Sequence, residues 1–226
     1  MYARGAMKWA VQPGETPLFG KERGCAEFEQ EVLRFDGGAD PRSSAEDDTV
    51  LYVLAGRGTA EVGGESATLT EGTAAYVRRG TPWQVTDADG LEILEVLIRE
   101  PLDCETSHAI VKVDEAEDGT ATAGRMFRLL APCTSATQFV GYVPVGRAPD
   151  HFHKYDEVVY VLQGTGELHI DGETAPLVAG TCVHLPAGLV HCLENVGPGE
   201  MQVLGVFRPE GSPAEAYYPD GTKAVY

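Results

Sequence analysis

The sequence predicts an all-β protein with little helix, made of two tandem copies of one unit, and three observations carry that prediction. Short runs rich in valine, leucine and tyrosine, such as "TVLYVLAG", "TAAYVRRG", "EVVYVLQG" and "MQVLGVF", are bounded by glycine and proline, the pattern of strands in a sandwich or barrel. No long stretch shows a helical period, so helix is expected mainly near the chain ends or between the halves. The third observation is a repeat: "LYVLAGRGTAEVGGESATLTEGT" from Leu51 lies over "VYVLQGTGELHIDGETAPLVAGT" from Val159 without a gap.

That offset of 108 residues, Leu51 to Val159, also pairs Gly38 with Gly146, Pro41 with Pro149, Gly56 with Gly164, Gly72 with Gly180, Gly80 with Gly188 and Pro101 with Pro209. Glycine and proline answer different backbone demands, so their agreement in one ungapped register marks a duplicated β unit. The link between the copies includes the acidic, turn-rich "VDEAEDGTATAG" from Val113 to Gly124.

Bulk properties set the surroundings. With 226 residues and 43% hydrophobic content the chain suits one large or two small globular domains. A net charge of -18 repels nucleic acid and anionic membrane surfaces, and neither is expected as a partner. The five cysteines are odd in number and form no CxxC pair, which predicts reduced, buried thiols rather than a disulfide framework. The amino-terminal "MYARGAMKWAVQPGETP" lacks the apolar run of a signal peptide, so the expected location is cytoplasmic.

The chemistry concentrates in "DHFHKYDEVVYVLQG", Asp150 to Gly164. His151, His153 and Glu157 stand at even separations, which in an extended segment turns all three to one face, continued by Val159 and Val161. Two imidazoles and a carboxylate arranged so can converge on an ion. In "GTCVHLPAGLVHCLEN", the turn at Pro186–Gly188 precedes His191, which aims a third imidazole into the same interior. Three neutral nitrogens and one anionic oxygen leave room in a five- or six-coordinate shell for water, dioxygen or a chelating substrate.

Gly146, His151, His153, Glu157 and Gly164 resemble the first cupin motif, with four residues between Gly146 and the first histidine where five are common. Gly180, Pro186, Gly188, His191 and Asn195 resemble the second in residue types and spacing. Both halves take part, so the chain is similar to bicupins, and the resemblance implies two tandem jelly-roll β-barrels, a first over residues 1–105 and a second with a carboxy-terminal arm over 106–226. It makes His151, His153, Glu157 and His191 ligands of one divalent transition metal, iron, manganese, nickel, copper, cobalt or zinc. Asn195, ending the second motif, is expected to stabilise a turn.

The amino-terminal copy lacks such a set. At the same offset His151 becomes Ser43, His153 Ala45, Glu157 Thr49 and His191 Trp83, a group that holds no first-row metal. The nearby Glu46, Asp47 and Asp48 are expected to form a solvated acidic turn, and Trp83 to fill the space of the missing ligand.

His184, before Pro186, is a candidate to line the cavity as acid, base or donor, with an outward or structural position as the alternative. His169 is expected at the surface or across strands, Cys192 in the core, and His108 in the link without a motif. Tyr142, Arg147 and Tyr155 flank the first motif as candidates to orient a substrate or simply to pack. The segment from Arg208 to Tyr226 is expected to be an ordered arm.

The resemblance implies a mononuclear metalloenzyme acting on a small oxygenated organic molecule. Dioxygenase-type oxidation leads, Glu157 doubling as ligand and base; the alternatives are a metal-dependent isomerase, hydrolase or decarboxylase, or a non-catalytic small-ligand-binding cupin. A homodimer is the expected assembly.

Overall fold

The repeat read from the sequence is a repeat of strands. The computed structural model describes residues 5–15 and 17–224. Its first seven strands are β1 (Ala10–Val11), β2 (Phe28–Phe35), β3 (Asp48–Val62), β4 (Glu65–Thr70), β5 (Thr73–Val77), β6 (Trp83–Ile98) and β7 (His108–Lys112). Then follow β8 (Asp118–Thr120), β9 (Met126–Pro132), β10 (Thr137–Val143), β11 (Gly146–Arg147) and β12 (Asp156–Gln163). The last are β13 (Thr165–Ile170), β14 (Glu173–Val178), β15 (Cys182–Leu185), β16 (Cys192–Asn195) and β17 (Met201–Arg208).

Shifted by 108, the long β3 covers β12 and β13, β4 covers β14, and β6 covers β16 and most of β17. Even the pairing register repeats: Thr49 faces Val77 as Glu157 faces Leu185. Gly56 and Gly164 both take positive φ, 76° and 91°. At Gly56 a Cβ would fall 2.0 Å from the Gly90 carbonyl oxygen, and at Gly164 2.8 Å from the Met201 Cα. Conformation and close approach thus both require glycine there.

Helical structure among the described residues is limited to four short 3-10 turns, Gly5–Trp9, Lys21–Arg23, Val113–Glu115 and Thr122–Gly124. They lie near the amino terminus and between the halves, and among the described residues no helix is long and apolar enough to cross a membrane.

The strands form antiparallel sheets in the orders β2-β6-β3-β5-β7, with β4 on β3; β1-β15-β12-β17-β10-β9-β8; and β11-β16-β13-β14. Pairing crosses the expected 105/106 boundary in both directions. The early β1 joins the second half through β15, while β7 joins the first through β5. Each half therefore completes a sheet of the other.

Strand alternation divides the apolar side chains between cores. Along β12, Val159 and Val161 join Leu168, Leu177, Val183, Leu185 and Val203 inside the second barrel. The preceding Val158 points the other way, with Cys182, Leu204 and Val206, into a core shared with Val50, Tyr52, Tyr76, Leu94 and Val96 of the first half. This shared core joins the two barrels through buried apolar area.

One expectation is corrected at this junction. Glu46 is exposed, but Asp47 is buried and Asp48 completely so. β3 begins at Asp48, so its carboxylate enters the interior with the strand. There Tyr76 donates its hydroxyl to Asp48 at 2.8 Å, Ser135 of the second half donates at 2.9 Å, and the Arg79 backbone N–H donates at 2.9 Å. Asp47 is paired with Arg99. The acidic run is thus part of the junction and not a solvated turn. All five cysteines are buried and free.

Candidate metal centre

The site begins with a backbone clasp. His151 and His191 form an antiparallel bridge: the His151 N–H donates to the His191 carbonyl at 3.0 Å and the His191 N–H to the His151 carbonyl at 2.8 Å. His153 accepts from the Gly188 N–H at 2.8 Å through its carbonyl, which fixes it beside the Pro186–Gly188 turn. The chain bends at Lys154 and Tyr155, and β12 then carries Glu157 inward. His151, His153 and His191 each place one ligating nitrogen so that all three lie within 4.8 Å of one another. Glu157 lines the same cavity but is outside the group that closes to that distance.

The tautomers are fixed by the backbone. The Nδ1 atoms of His151, His153 and His191 lie 3.0, 2.8 and 2.8 Å from the carbonyl oxygens of Pro149, Glu215 and Leu189. A carbonyl only accepts, so each Nδ1 carries the proton and each Nε2 presents a lone pair, the arrangement of a metal-binding histidine. Burial lowers the pKa of all three, His153 to about 4. In His153 and His191 the neighbouring imidazoles lower it further. The rings are uncharged at neutral pH and ready to ligate. Burial also pushes the Glu157 carboxyl up to about 8, against the opposing influence of Arg125. A divalent cation would offset that desolvation, so the donor set fits a metal ion by its own chemistry.

The cavity has a volume of about 70 Å³ and mostly apolar walls, including Phe127, Phe139, Val203 and Phe207. Its cationic side chain is Arg125, half-buried and held by donation to the Leu193 carbonyl. Burial lowers the Arg125 pKa, while Cys192 and Glu157 oppose the shift; an arginine remains charged under such a shift. Nothing in the sequence marked Arg125, which lies just beyond the turn-rich link. Only the crossing of β9 beside β10 brings it to the cavity.

The remaining candidates take other places. His184 does not line this cavity: it pairs with Val158, which faces away from Glu157. Its ring lies against Trp9 and Phe19 in the interior. Tyr142 is at the cavity wall, Arg147 is paired with Asp150 at 2.7 Å, and the Tyr155 ring is stacked on His153 with centroids 5.5 Å apart. His169 bonds Glu194 across strands at 2.8 Å, while His108 is 3.1 Å from the Ser107 hydroxyl. Cys192 is buried and donates to the Ala148 carbonyl at 3.1 Å. Asn195 stabilises a turn, donating to Val143 and Gly199 carbonyls and accepting from the Gly197 N–H.

In the first barrel Trp83 is buried among Leu51, Val53, Val62 and Ile93. The cavity left there is about 10 Å³ and apolar, about one water-sized sphere. Trp83 thus fills the interior where the second barrel opens its site.

The carboxy-terminal arm belongs to the site. Tyr217 forms a backbone bridge with Phe152, Tyr155 donates its hydroxyl to the Ser212 carbonyl at 2.6 Å, and Pro213 lines the cavity. The last two residues of the expected arm, Val225 and Tyr226, lie outside the described residues. Because Glu215 supplies the carbonyl that orients His153, ending the chain after Glu210 is expected to weaken metal affinity roughly 10- to 100-fold. Chelator competition against the full chain checks this; unchanged affinity would show that the arm does not support the site.

Comparison with known proteins accords with this architecture. A family model described as a cupin domain matches residues 33–98 and 138–207, more than half of the chain. The chain is similar to polyketide synthase CurC of Streptomyces cyaneus, with 35% identity over 101 residues covering 42% of this chain and 66% of CurC. It thus spans just under two thirds of that relative's length. Among solved structures it is similar to Ylba of E. coli, with a TM-score of 0.72 at 17% identity, covering 84% of this chain and 80% of Ylba. It is also similar to Bacillus subtilis oxalate decarboxylase, which has Mn(II) centres, with a TM-score of 0.66 at 14% identity, covering 82% of this chain and 70% of that one. At such identities the solved structures show a shared fold.

Proposed function

We propose, on the premise that the chain belongs to the cupin family, that its second barrel is a mononuclear metal-dependent enzyme oxidising a small oxygenated acid with dioxygen. The observation that carries this reading is the meeting of three neutral imidazoles, Glu157 and the cationic Arg125 around one apolar cavity. His151, His153, His191 and Glu157 would hold a divalent transition metal, which supplies Lewis acidity and a meeting point for substrate and oxygen. Arg125 binds and orients the substrate's anionic group, and the phenylalanines exclude water. Glu157 is the group placed to take up a substrate proton.

Cavity size argues for a small substrate. At roughly 10–15 Å³ for each water-sized sphere, 70 Å³ admits a molecule of a few heavy atoms. CurC's name concerns polyketides and the decarboxylase's name oxalate, a two-carbon diacid. This cavity suits the smaller class. Arg125 also supports a second reading, metal-dependent decarboxylation of such an acid, in which the same clamp holds the carboxylate.

The test is a screen of small hydroxy- and keto-acids with protein loaded with iron, manganese, nickel or copper, monitored by oxygen uptake and carbon dioxide release. Oxygen uptake coupled to product supports oxidation, anaerobic carbon dioxide release supports decarboxylation, and neither with any metal contradicts both. Arg125→Ala is expected to raise KM for the acid at least tenfold, since a charge-assisted hydrogen bond contributes about 1.5–3 kcal/mol. Unchanged KM would remove Arg125 from substrate binding.

A further inference from the structure

We propose that Cys25, Glu27 and His184 form a second metal site, structural in role, that joins the two barrels through a zinc-like divalent ion. The Cys25 Sγ, a Glu27 carboxylate oxygen and a His184 ring nitrogen lie within 4.8 Å of one another. His184 is only 2% exposed, and its Nε2 is buried without a hydrogen-bond partner. A buried polar atom left unpaired is costly, and protein interiors rarely contain one without a reason. Nothing in the cavity chemistry of the second barrel uses this group, because strand alternation turns His184 to the opposite face.

The donor types suit an ion. A thiolate, an imidazole and a carboxylate form a mixed sulfur, nitrogen and oxygen set that zinc accepts, with water completing a tetrahedron. Burial pushes the free Cys25 thiol up to about 11, so the ion would have to displace its proton. Asp156 adds negative charge near both Cys25 and His184. Glu27 is half-buried and also lines a surface pocket of about 310 Å³.

Position gives the site its role. Cys25 and Glu27 precede β2 of the first half, and His184 lies on β15 of the second. An ion bound by all three would tie the halves together beside their shared core.

The test uses chelator-stripped full-length protein titrated with cobalt(II), with bound cobalt counted by elemental analysis. A thiolate ligand gives a sulfur-to-cobalt charge-transfer band in the near ultraviolet, which a histidine and carboxylate site lacks. The parent should bind two equivalents and show the band. Cys25→Ser and His184→Gln should each bind one and lose the band, with folding checked by circular dichroism. His191→Ala should keep the band, which separates this site from the one in the cavity. A parent without the band, or a band that survives in folded Cys25→Ser, would overturn the proposal.

Discussion

Glu157→Gln is expected to lower turnover by about 100-fold or more, the range for removal of a positioned proton acceptor, while leaving the melting temperature unchanged or higher. The side chain keeps its shape, so packing against Leu185 and Phe207, its partners on β15 and β17, is retained. What changes is the ionisable group, a carboxyl whose pKa burial pushes up to about 8. A buried carboxyl is costly in the absence of a cation, and an amide of equal size avoids that cost. A group kept for stability would show the reverse, lost stability with retained activity. Thermal melts of metal-free protein beside single-turnover kinetics of loaded protein separate the two. A Glu157→Gln variant as active as the parent would end the assignment of Glu157 to the chemistry.

The second large effect lies at the junction of the two halves. Asp48→Ala is expected to destabilise the protein by about 3–5 kcal/mol, the usual result of removing one partner from a buried charged network. Its loss strands the Tyr76 hydroxyl and removes the acceptor that ties Ser135, from the other half of the chain, to β3. For a protein of this length that corresponds to roughly a 10 °C fall in melting temperature. Tyr76→Phe, which removes one donor and leaves Asp48 with its other partners, should cost about 1–3 kcal/mol. Differential scanning calorimetry of both variants checks the order; equal, small losses would mean that the junction rests on apolar packing alone.

Much of this was legible before any fold was known. The shared offset located the strands of both halves because turn glycines such as Gly56 and Gly164 are fixed by backbone geometry, and geometry leaves its mark locally. His151, His153 and His191 were visible for a similar reason, being uncommon residues at spacings set by strand and turn. Less visible were features made by approach in space. Arg125 follows a polar link, and its function depends on where β9 crosses. Asp48 looked solvated beside Glu46 and Asp47 because a run of carboxylates does not reveal where β3 begins. The orientation of His184 follows from alternation only once the strand register is known: Glu157 pairs with Leu185, and the residue before Leu185 must face away. The exchange of β1 and β7 had no sequence signal, since an edge strand of two or five residues carries too little pattern to name its partner.

The central claim, a metal held by the second barrel alone, is tested most directly by elemental analysis of untagged protein purified without chelator, beside His191→Ala. The account predicts at least one equivalent of a divalent transition metal in the parent and less in the variant, since removal of His191 takes away one of the three imidazoles that close on the cavity. Equal metal content in the two proteins, or no metal in either after reconstitution, would contradict it.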